Sequence, residues 1–169
     1  MNTIDWLCKN AAGFTELPDP DRQAIMEFSL IWSFFEAKAL NTRASAAAIQ
    51  ALVQKWVTSG RLTIEPFSPS LAYFRDRYFQ NAKLTEHFEG LALRDNDKAP
   101  LVTAVLSGEN NDPASCVTAL LIVVYRLRNN LFHGAKWAYG IKGQLNNFSN
   151  ASLALIAALE VGGEFQNGA

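Results

Sequence analysis

The chain has 169 residues, 49% of them hydrophobic, and its 15 Lys and Arg against 16 Asp and Glu leave a net charge of -1. That length and apolar content suit one domain with one substantial core, and the near-neutral charge argues against a large basic surface for polyanions. Helix formers fill the long segments and alternating β-branched runs are nearly absent, so the fold class is all-α.

The first clear element opens at Leu17-Pro18-Asp19-Pro20, and Asp21 to Leu40 carries Ile25, Phe28, Trp32, Phe35 and Ala39 at helical spacing. Met26, Leu30, Ile31 and Phe34 widen its apolar surface beyond one stripe, which implies a bundle centre or a dimer interface. Ser45 to Val57 reads as a second helix with Ile49, Leu52, Val53 and Trp56 inward, ended by Ser59-Gly60. Pro66 and Pro69 break the chain. Leu71 to Phe88 then reads as an amphipathic helix, with Leu71, Phe74, Tyr78 and either Phe79 or Leu84 inward and Arg75, Asp76, Arg77 and Lys83 as a solvated face.

A turn at 94–97 leads to a short helix over Ala99 to Leu106. Asp112 as N-cap and Pro113 at the first helical position open a helix of about 20 residues, ~30 Å long, that closes at Phe132 before Gly134. A Gly- and Asn-rich loop over 140–147 precedes a last helix, Asn150 to Leu159, and residues 162–169 are expected to fray. The chain therefore reads as a single domain, with a bundle of about five to six helices over 20–160 and a short N-terminal extension over 1–17.

The longest apolar run, Ala119 to Val124, is far short of the roughly 18 residues of a membrane span, and Asp5 stands where a signal peptide would be basic or apolar. A cytoplasmic protein that avoids membranes is expected. Cys8 and Cys116 form no C-x-x-C pair, so neither a zinc site nor a disulfide framework is expected, and Cys116 reads as a small buried hydrophobe. Motifs for P-loop, dinucleotide, zinc-protease and serine-hydrolase chemistry are absent, and no metal or cofactor is expected.

Residues 113 to 159 contain Arg126, Arg128, Lys136 and Lys142 and no acidic residue, so a local anion-binding surface can form around His133. Arg128 borders the apolar stripe of Leu120, Val124, Leu127 and Leu131 and needs an anionic partner or a wet cleft, because an unpaired buried charge is costly. Glu36, near the end of the first long helix, is one candidate. His133 lies five residues on, about 140° around an ideal helix, so it converges with Arg128 only if the last turn unwinds or a second subunit intervenes. The simpler alternative is that both residues complement the helix C-terminal dipole and cap free carbonyls.

The string Tyr125-Arg126-Leu127-Arg128-Asn129-Asn130-Leu131-Phe132-His133-Gly134, closing a long apolar helix, resembles the Arg-Asn-x-x-x-His signature of HEPN domains. It is most similar to the Apea-like branch, whose members have a similar Asn-Asn-Leu-Phe-His-Gly ending. The likeness extends over residues 20 to 160, including Phe74 to Tyr78 and Gly108 to Pro113. The resemblance implies an up-and-down helical bundle that dimerises, commonly a metal-independent RNase of phage-defence or toxin systems, with an antitoxin as a further partner.

On that reading Arg128, Asn129 and His133 are catalytic. The ribose 2′-OH attacks the adjacent phosphate, His133 serves as acid or base, Arg128 binds phosphoryl oxygens and Asn129 orients either side chain. Lys136, Lys142, Arg126 and Asn130 would bind RNA, and Trp137 and Tyr139 are the stacking candidates, burial being the alternative for Trp137. His87 reads as a solvated residue of another helix, so a second histidine must come from a partner subunit across a two-fold axis. That dimer is expected to use the first and sixth long helices, both apolar over more than one stripe. The competing reading is a noncatalytic helical module for dimerisation or for binding a ligand or protein.

Overall fold

The computed structural model describes residues 2–132 and 143–163. Among the described residues there are eight α-helices and one two-stranded ladder, so the chain is all-α in class. Five helices of eleven residues or more make the bundle: α2 (Asp19–Ala39), α3 (Ala46–Thr58), α4 (Ser68–Tyr78), α7 (Pro113–Phe132) and α8 (Leu145–Gly162). The shorter α1 (Thr3–Asn10), α5 (Glu86–Glu89) and α6 (Ala99–Leu106) lie between or before them.

Local chemistry accounts for most boundaries. Ser45 caps α3 by accepting the Ala48 N–H at 3.1 Å, and Asp112 caps α7 by accepting the Ser115 N–H at 2.8 Å ahead of Pro113. The last turn of α8 gives the Gly162 carbonyl to Arg61 Nη1 at 2.8 Å and ends on Gly163 at φ 66°. The N-terminal extension is partly core: α1 buries none of its residues, yet Phe14 and Leu17 behind it are buried.

The helix expected over 71–88 is instead four elements, α4, two short strands and the start of α5. α4 ends at Tyr78, and an antiparallel ladder of β1 (Phe79–Gln80) with β2 (Lys83–Leu84) turns through Asn81 and Ala82, at φ 52° and 58°. A two-residue hairpin of this hand needs positive φ at both central residues. Asn81 meets that readily, whereas Ala82 carries a Cβ into the left-handed region at a cost of about 1–2 kcal/mol. Tyr78 is buried as expected, and Leu84 is exposed.

α7 is the axis of the core. Its nine residues from Cys116 to Val124 are all buried, covered by α3, α4, α6 and α8. A helix apolar all round must be enclosed on all sides, and here one chain does it. This corrects the expectation that α7 offers its apolar excess to a second subunit: only its end, with Phe132 at 56% exposure, presents a large apolar side chain to solvent. α2 differs. Phe28, Trp32 and Phe35 face the core, Phe28 meeting Phe148 of α8 at 5.1 Å between ring centroids, while Met26, Leu30 and Phe34 form an exposed stripe on the opposite side. No described helix is long and apolar enough to cross a membrane.

Candidate functional site

The last two turns of α7 present different residues to different neighbours because two helical steps rotate a side chain by about 200°. Arg126 and Asn130, four apart, face the loop that follows α5. The Arg126 guanidinium pairs with Asp97 at 3.2 Å and donates to the Leu91 and Ala92 carbonyls at 3.1 and 2.6 Å; the Asn130 amide donates to the Gly90 carbonyl at 2.9 Å. Both are buried, so neither meets RNA, which corrects the expectation drawn from their place in the basic segment. They pin loop 90–97 to the core.

Arg128 faces α2. Its side chain is 29% exposed; Nη2 lies 3.5 Å from Glu36 Oε2, and Nη1 donates to Asn129 Oδ1 at 3.1 Å. The same Glu36 oxygen accepts the Trp32 indole N–H at 2.8 Å, so the carboxylate is fixed by a residue one helical turn before it. The Arg128 guanidinium carbon sits over the Trp32 ring at 5.7 Å and over the Phe132 ring at 5.1 Å. Carboxylate, amide and two aromatic faces therefore set its plane and direction, the arrangement to which a flat, weakly hydrated cation is best suited.

Of five guanidinium N–H groups, one is spent on Asn129 and one faces Glu36 in the ion pair. Nε is buried without a hydrogen-bond partner among the described residues. Asn129 is buried and spends its carbonyl oxygen on Arg128, so it is a positioning residue for that side chain.

His133, Lys136, Trp137, Tyr139 and Lys142 lie outside the described residues. His87 is exposed on α5, within a solvated segment as expected. Burial pushes the Cys116 thiol up despite the nearby Arg75, which keeps it protonated and inert at neutral pH. Among the described residues no cluster of His, Cys, Asp and Glu could hold a metal ion.

The residues that sequence reasoning left out of the site are Trp32, read as a core residue only, and Phe132. The available signal was spacing: Trp32 and Glu36 are four apart on α2, Arg128 and Phe132 four apart on α7, and such pairs stack on one face. No protein-family model matches the chain, and neither the curated proteins nor the solved structures contain a significant match to it.

Proposed function

We propose that the chain is a metal-independent endoribonuclease of the HEPN type, acting as a homodimer through Arg128, Asn129 and His133. The carrying observation is the setting of Arg128: a part-exposed guanidinium held by Glu36, Asn129, Trp32 and Phe132, with only one hydrogen bond and one ion pair drawn from its Nη1 and Nη2 groups. A cation held in advance stabilises developing charge on a phosphoryl group without reorganising at the moment of reaction. The residue lies five positions before His133, the one residue of the segment whose ordinary pKa suits proton transfer at neutral pH.

In this mechanism the 2′-OH gives its proton to one histidine as its oxygen attacks phosphorus, and the 5′-oxygen leaves with a proton from the histidine of the second subunit. Arg128 holds the non-bridging oxygens. Lys136 and Lys142 add long-range attraction for the phosphate backbone. Toxin or phage-defence biology, with an antitoxin to restrain the activity, belongs to the same proposal.

A second reading has an observation of its own. The Arg128–Glu36 pair crosses from α7 to α2 and brings a carboxylate beside the guanidinium, so it can serve mainly to hold the two helices together in a noncatalytic module. The decisive experiment is cleavage of RNA in EDTA. Wild-type protein is expected to leave a 2′,3′-cyclic phosphate and to spare DNA and 2′-O-methyl RNA, and His133→Ala to lose the activity while keeping its fold. Equal cleavage by both proteins, or none by either, favours the module.

A further inference from the structure

Tyr125, Arg128 and Phe132 are spaced by three and four residues and share one side of α7. With Trp32 they build a cluster. The Tyr125 and Trp32 rings lie 6.0 Å apart, and the Arg128 guanidinium carbon lies 5.7 Å from the Trp32 ring centroid and 5.1 Å from that of Phe132. Trp32 within the cluster is 2% exposed, whereas Phe132 is 56% exposed. Core packing explains Trp32. It does not explain a large apolar ring held in solvent against a cation.

We propose that Phe132 is the stacking surface for a nucleobase of single-stranded RNA, beside the phosphate that Arg128 holds; the proposal rests on the phosphate-binding reading of Arg128. The pair offers what one nucleotide requires, a cation for the phosphate and an apolar face for the base. Every base has such a face, so the subsite tolerates any sequence, and it favours single strands because bases in a duplex are already stacked. The Arg128 guanidinium lies against the Phe132 ring, and more than half of the residue remains exposed. A separate exposed apolar stripe, Met26, Leu30 and Phe34 on α2, is available to a second copy of the chain.

The test measures fluorescence anisotropy of a short labelled oligouridylate and of an abasic ribose-phosphate strand of equal length, with cleavage blocked by His133→Ala in every protein. Phe132→Ala is expected to weaken binding of the oligouridylate by roughly five- to a hundredfold while leaving the abasic strand unaffected, and Phe132→Trp to retain affinity. Equal binding by the parent and Phe132→Ala, an equal loss on both strands, or conversion of a dimer to a monomer by Phe132→Ala overturns the base subsite. Arg128→Ala separates the two ideas: it weakens both strands if Arg128 holds phosphate. No effect of Arg128→Ala on either strand removes the phosphate reading, and the base subsite with it.

Discussion

Arg126 and Arg128 are the same residue type two positions apart, and their surroundings give them opposite tasks. At 3% side-chain exposure Arg126 has exchanged water for Asp97 and two backbone carbonyls, and Asp97 also accepts the Arg94 N–H at 2.9 Å. Removing one partner of such a pair leaves the other charge desolvated, which typically costs about 3–5 kcal/mol. Asp97→Ala is therefore expected to lower the urea midpoint of unfolding by an amount equivalent to ~3–5 kcal/mol; a change below about 1 kcal/mol would show that the pair does not hold loop 90–97. The basic segment was legible in the sequence, as was Glu36 as a partner for Arg128. The division of labour within it was not, because Asp97 and the carbonyls that claim Arg126 lie about thirty residues away in sequence and no local spacing announces them.

At the scale of elements, α2 has apolar surface to spare. Met26, Leu30 and Phe34 are 58, 72 and 42% exposed, aligned along the side away from the core. Exposed apolar patches on a helix face are the usual mark of an interface. If α2 pairs with α2 of a second subunit, light scattering at micromolar concentration is expected to give twice the chain mass for the wild type and a monomer for Leu30→Glu, with both proteins folded. A wild-type monomer would rule out a site shared across a dimer axis. The periodicity that defines α2, α3, α6 and α7 was readable from capping residues and spacing alone. It overran α4 because Tyr78-Phe79 contains neither Gly nor Pro to mark the break, and the hairpin beyond it depends on left-handed conformations at Asn81 and Ala82. It began α8 too late because Asn146 and Asn147 read as loop formers. In the fold, Asn147 accepts the Tyr73 hydroxyl at 2.7 Å, a long-range bond that suits it to the first turn of the helix.

For the whole molecule, α7 runs from the centre of the core to the candidate site at its last two turns. Its first half is surrounded by four other helices, and its last two turns hold loop 90–97 on one side and Arg128 on the other. The all-α architecture followed from composition. Which helix would be central did not, since α2 and α7 are both apolar beyond one stripe and only the packing decides which of them is enclosed.

The back-to-back placement of Arg126 and Arg128 has a consequence in living cells. If the chain carries the proposed RNase activity, a genetic selection for its loss would recover substitutions on both sides of this helix, and activity alone would not separate them. Abundance would: a folding defect of a few kcal/mol raises the unfolded fraction that proteases remove, so variants at Asp97, Arg126 and Asn130 would fall in steady-state level, while variants at the exposed Phe132 would accumulate at close to normal amounts.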